Sequence, residues 1–242
     1  MDVVALGELL IDFTENGISS QGNPLFEANP GADMMLTEEE IPEELILETR
    51  IFHFGTLSMT HENVRRATKK AVAIAKQAGA IISFDPNIRE PLWNSMDEAR
   101  EQVLYGLGQC HILKISDNEI QWLTGKNDYT EAVKWIREKY DIPLILVSMG
   151  KEGSRAYYQD RMVEKAPFIN ENTIETTGAG DTFCACVLHY ICKHGLENLT
   201  EKNLKEMLTY ANAAASIITT RKGALRVMPR PEEIEALIAG HH

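Results

Sequence analysis

The nonamer ETTGAGDTF, Glu175 to Phe183, carries the densest chemistry in the chain. Gly178 and Gly180 flank Ala179 directly before a stretch that reads as a helix. Small residues let backbone N–H groups close on an anion, and a helix N-terminus adds positive partial charge. Asp181 follows at once, in the first turn of that helix. Phosphoryl transfer to an alcohol needs this pairing: donors for the charge on the migrating group, and a base near the hydroxyl that loses its proton. The same residues also suit an ordinary glycine-rich turn in which Asp181 only complements the helix dipole. Spacing alone leaves both readings open. The Walker pattern is excluded, because no Lys-Ser or Lys-Thr follows the glycines. A dinucleotide fingerprint is excluded too, because no Gly-x-Gly-x-x-Gly follows the first strand.

Hydrophobic periodicity predicts the elements that must position this turn. Residues 3–13 read as a buried strand interrupted at Gly7, and 50–55 as a second strand. Residues 62–80 form an amphipathic helix pattern, with Val64, Ala67, Ala71, Ile74 and Ala75 on one face and Gly79 near its end. The acidic run after Asn29-Pro30-Gly31 reads as the start of another helix. IISFDPN, 81–87, reads as a strand ending in Asp-Pro-Asn, and Ser95 is a plausible N-cap for the helix that follows. HILKIS is a strand, followed by helices in DNEIQWLTG and DYTEAVKWIREKY. PLILVSM is apolar almost throughout, as a strand buried on both faces should be. SRAYYQD and RMVEKAP read as a hairpin, residues 200–223 as a long helix, and RPEEIEALIA as a last element. Regular alternation of strands and helices predicts an α/β protein with a mostly parallel sheet, whose ligands sit at the carboxyl ends of the strands.

The bulk numbers narrow the partners. A chain of 242 residues can build one large core without a second domain. Its net charge of -12 disfavours nucleic acid, yet allows a nucleotide held locally by backbone amides and a metal ion. No apolar run is long enough for a bilayer, so no membrane partner is expected. The start MDVVALGELLIDF is acidic and lacks the features of a secretory leader, which suggests mature sequence. Cys110, Cys184, Cys186 and Cys192 contain no Cys-x-x-Cys pair, so reduced thiols in a cytoplasmic protein are expected rather than zinc. The closing His241-His242 pair is consistent with an affinity-tag remnant.

The nonamer closely resembles the C-terminal signature of the ribokinase-like (PfkB-type) carbohydrate kinases. Other stretches fit in the same order: VVALGELLIDF, SFDPNIREPLW, LKISDNEIQWLTG, VSMGKEGS and ANAAASIITTRKGAL. The first two resemble the fructokinase branch. The resemblance covers residues 1–31 and roughly 32–235, and implies a three-layer sandwich around a mostly parallel central sheet. It implies Asp181 as catalytic base toward a sugar's primary hydroxyl, and Gly178, Ala179 and Gly180 as the anion hole. It also implies Asp12 as an acceptor from sugar hydroxyls, although a polar residue ending a strand would look the same. Ser148, Gly150 and Gly153 match the nucleotide loop. Asn87 and Arg89 lie just past a strand end, where Arg can reach a phosphate oxygen or close a structural turn with Asp85. Asn212 and Gly223 match positions near the adenine, with a buried helical Asn as the competing reading. Glu119 holds the place of the acid that supports Mg2+ through water, but Ser116 stands where Asn is usual. Glu175 with Thr177 matches a monovalent-cation site, K+ in type, in which many relatives carry the shorter Asp. ATP and Mg2+ are the implied cofactors.

Within this resemblance, Pro30-Gly31 looks like the start of a sugar-side Gly-Gly motif, and Asp33 onward looks like a much later point. A deletion between Gly31 and Ala32 is therefore expected, leaving 1–31 as first strand and lid remnant and 32–240 as the rest of a single α/β domain. The sugar pocket loses one side and its lid, so weak or absent turnover with surviving ATP binding is expected. The uncovered sheet edge predicts a homodimer or higher oligomer. The alternatives are a non-catalytic fold that keeps nucleotide binding, and a kinase for 2-keto-3-deoxygluconate or a nucleoside.

Overall fold

The computed structural model describes residues 1–6, 12–18, 24–29, 32–223 and 227–241, and of 12–18, 24–29, 32 and 33 the backbone alone. Gly7, the Asp12 side chain, the Pro30-Gly31 junction and His242 lie outside the described parts. The chain falls into two compact units, 1–111 and 112–242.

In the first unit, β1 (Val3–Leu6), β4 (Ile51–Gly55) and β5 (Ile81–Asp85) run parallel, with Val3 opposite Ile51 and Ile51 opposite Ile81. Of the strand expected over 3–13, Val3–Leu6 is described and residues 7–11 lie outside the described residues; Asp12 opens β2 (Asp12–Ile18), which pairs antiparallel with β3 (Pro24–Asn29) in a separate two-stranded sheet. The helix expected after Gly31 is replaced by 3-10 turns at Ala32–Met35 and Glu38–Glu40, then a single short helix α1, Glu43–Leu47. Pro42 explains the break. A residue before proline avoids the helical region, and Ile41 is extended at φ -66°, ψ 121°.

α2 (Glu62–Gln77) buries Val64, Ala67, Ala71 and Ala75, with Ile74 half-buried, as the 3.6 period predicts. α3 (Met96–Leu107) is capped by Ser95, whose hydroxyl accepts from the Glu98 N–H. Arg65 on α2 bonds Glu98 on α3, and this contact, with Asn94 behind it, holds the Glu98 carboxyl below the usual carboxylate range. Gly106 lets α3 approach β5 closely: a Cβ there would lie 2.3 Å from the Phe84 ring. Phe52, Phe54 and Phe84 are fully buried beneath it.

In the second unit, β6 (Ile112–Ser116) and β7 (Leu144–Ser148) are parallel, and β7, β8 (Ser154–Tyr158) and β9 (Arg161–Lys165) are antiparallel. The hairpin is as expected, and Leu144 to Val147 are fully buried. α4 (Asp117–Thr124) and α5 (Tyr129–Arg137) follow β6. Arg137 fastens the hairpin by donating to the carbonyls of Gln159 at 2.6 Å and Tyr157 at 3.0 Å. α6 (Ala179–His194) packs on α7 (Glu201–Ile218), and α8 (Pro231–Ala239) closes over Ala213 and Ala214. α7 stops at Ile218, short of the expected Gly223, because Thr219 and Thr220 turn their hydroxyls back onto the Ser216 and Ile217 carbonyls. Burial pushes the Cys186 thiol up to about 11 and the Cys110 thiol higher still, so these sulfurs pack as small apolar groups.

Candidate nucleotide and phosphoryl-transfer site

The second unit holds a cleft of about 560 Å³, within the range of small-molecule sites. Ser148, Gly150 and Gly153 form one side, Ala179 and Gly180 the head of α6, and Asn212, Ser216 and Thr219 the flank of α7. Phe168 and Ile169 add an apolar wall suited to a flat ring. The structure therefore brings together the nucleotide loop, the glycine turn and the α7 Asn, which are far apart in sequence.

Gly178 is the N-cap of α6, left-handed at φ 76°, and no side chain caps the helix. Ala179 spends its N–H on the Thr176 carbonyl at 3.2 Å. The amides that follow, at Gly180 and Asp181, are those an N-cap side chain would otherwise satisfy. A 16-residue helix thus presents an uncapped, positive first turn beside the cleft. Asp181 lies in that turn and is exposed, where a carboxylate can meet an incoming hydroxyl.

Lys114 is a residue the sequence reading passed over. It is buried in β6 at 6% exposure. A Cβ on Gly180 would lie 3.1 Å from its ammonium nitrogen, so the positive charge rests against the first turn of α6. The available signal was a lysine in the middle of HILKIS, flanked by Ile112, Leu113 and Ile115.

Several expected residues also bond to or pack against protein. Gly153, at φ 97°, matches the nucleotide loop, and its close neighbour is protein: a Cβ would sit 2.1 Å from the Lys165 carbonyl oxygen. The Asn212 amide accepts from the Ser154 hydroxyl at 2.8 Å and donates to the Lys165 and Ala166 carbonyls at 3.2 and 3.1 Å. It shapes the cleft wall by clamping the hairpin. Ser116 caps α4, and the Glu119 carboxylate answers by accepting from the Ser116 N–H and hydroxyl at 2.9 and 2.7 Å. The departure from Asn is therefore a capping box. Asn87, left-handed at φ 44°, and exposed Arg89 belong to the first unit, and Arg89 donates to the Ile88 carbonyl. Glu175 accepts from the Gly223 N–H at 2.8 Å, and Thr177 is exposed.

Among the described residues no group of three or more His, Cys, Asp or Glu side chains could hold a metal ion. A Mg2+ ion arriving with a nucleotide takes most of its ligands from phosphate and water, and a single carboxylate at the head of α4 fits the supporting part.

The profile of the pfkB family carbohydrate kinases matches residues 17–231. The chain belongs to this family. Among PfkB-family relatives it is 39% identical over 214 residues to Fructokinase-1 of Zea mays, covering 88% of this chain and 66% of that protein. The chain thus spans just under two thirds of the length of the curated relatives it matches first. Its structure is similar to a double-mutant fructokinase from Vibrio cholerae O395 in fructose, ADP and potassium ion bound form, with TM-score 0.78, 26% identity, and 89% and 68% of the two chains covered. A fructokinase with bound ATP from Xylella fastidiosa superposes with TM-score 0.82 at 24% identity over 91% and 70% of the chains. These likenesses show the ribokinase-like α/β fold of the PfkB family.

Proposed function

We propose that this chain is a shortened sugar kinase of fructokinase type, which binds ATP with Mg2+ in the cleft of the second unit. The observation that carries the reading is the uncapped first turn of α6, with Asp181 in it and Lys114 against it, at the mouth of a nucleotide-sized cleft. Asp181 takes the proton from a primary hydroxyl of the sugar. The freed oxygen attacks the γ-phosphorus, the bond to the β,γ-bridging oxygen breaks, and ADP leaves. The amides of the turn and the Lys114 ammonium meet the charge that gathers on the migrating group. When bound, Mg2+ would further neutralise the phosphates, and Glu119 would be the residue supporting it.

Only about two thirds of a fructokinase's length is present, which favours weak turnover with nucleotide binding retained. In-line transfer needs the alcohol held in place, and that task falls to the sugar side. A coupled assay of ADP release with and without fructose tests this, together with calorimetry of Mg-ATP. Ordinary fructose turnover would refute the impairment, and absence of Mg-ATP binding would refute the nucleotide site. If ATP binds and no sugar stimulates ADP release, the chain is a non-catalytic nucleotide-binding fold.

β1 pairs with β4 alone among the described strands, and Met1 and Leu47 are exposed large apolar residues. Such an edge favours a second copy of the chain. Sedimentation at micromolar concentration should show a dimer or larger species, and a monomer would end this reading.

A further inference from the structure

The segment leading into the glycine turn is tied directly to the segment after α7. The Thr219 carbonyl accepts from the Ile174 N–H at 2.8 Å and the Glu175 N–H at 3.2 Å. The Glu175 carboxylate reaches back and accepts from the Gly223 N–H at 2.8 Å. Thr173 and Thr219 hydroxyls lie 3.3 Å apart. Thr176, next in the chain, offers the carbonyl that sets the Ala179 turn, and Gly178 starts α6. The geometry of the phosphate cradle therefore hangs on this junction.

Family resemblance implies a K+-type ion here, and the residues present do not fit it. An alkali cation needs hard oxygens aimed at one point. The Thr219 carbonyl is already shared by two N–H donors, and the Glu175 oxygen faces a third. The longer acid spans the gap itself.

We propose that Glu175 is a positioning residue that replaces a bound monovalent cation, so that the junction, and nucleotide binding through it, is independent of K+. The nucleotide half of this statement rests on the function proposed above; the junction half does not. The Asp variant is the informative one, because a carboxylate one methylene shorter falls short of Gly223 and restores room for an ion.

Amide hydrogen exchange at Gly223 and calorimetry of Mg-ADP, each in choline chloride and in potassium chloride, test it. In the native chain, Gly223 should be equally protected in both salts, and Mg-ADP affinity should agree within about twofold. In Glu175→Asp, protection should be lost in choline, and Mg-ADP affinity should fall about tenfold, the worth of one charge-assisted hydrogen bond. Potassium should restore both. Native protection that appears only with potassium would overturn the proposal, as would a Glu175→Asp chain unchanged in both salts. If the native chain binds no Mg-ADP in either salt, the nucleotide reading fails, and exchange at Gly223 alone still decides for or against the strut.

Discussion

The second unit contains two glycine turns that look interchangeable in sequence and differ in what glycine does for them. In the 150–153 turn, Gly153 lets main chain press against main chain, with the Lys165 carbonyl oxygen where a Cβ would go. In the 178–180 turn, Gly178 leaves a long helix without a cap, and the amides stay available. One turn spends its freedom on packing. The other withholds a bond the fold could have made. Only the second turn leaves helix-end amides that an anion can satisfy.

Substitutions can break or sharpen this contrast. Asp181→Asn should lower fructose-dependent ADP release by about 10²- to 10⁴-fold, the usual worth of a positioned base, while the urea midpoint barely moves. A loss of stability that matches the loss of rate would return Asp181 to a structural role. Gly153→Ala should do the reverse, and destabilise the chain by about 3 kcal/mol or more through backbone overlap and a strained positive φ. Urea unfolding would show it, and a neutral result would undo the assignment of this turn to packing. Lys114→Met should weaken Mg-ATP binding by about ten- to a hundredfold, as the loss of a charged hydrogen-bond donor does. Unchanged affinity in calorimetry of the folded variant would remove Lys114 from the site.

The smallest effect lies outside both turns and calibrates them. Arg65 lowers the Glu98 pKa in the folded chain, so this contact stabilises above the ordinary carboxylate range and is lost as pH falls through it. Glu98→Gln should therefore cost about 1 kcal/mol near neutral pH and nothing in acid below the folded pKa. Thermal melts across that range would show the gap closing, and a constant gap would assign it to packing.

Much of the second unit was legible because its signals are local. PLILVSM states its own burial, and SRAYYQD with RMVEKAP states a hairpin. The nonamer announced both a helix and its start. What stayed hidden depends on partners distant in sequence. Nothing near Gly153 reveals Lys165, and nothing near Asn212 reveals Ser154. Ser116 looked like a defect in a metal motif until its partner Glu119 showed it capping a helix. Around residue 40 the acidic composition argued for helix, and Pro42 limited it to short turns. Lys114 could have been found from sequence alone, by asking what a charge is doing inside a buried strand.

The cradle at the head of α6 is main chain, apart from Lys114. Most mutations change side chains, and so they leave it as it was. A lineage could replace nearly every exposed residue of α6 and still inherit a place for a phosphate, provided Gly178 and Gly180 persist. Because it is built from backbone, this turn is the part of the second unit that side-chain substitutions change least.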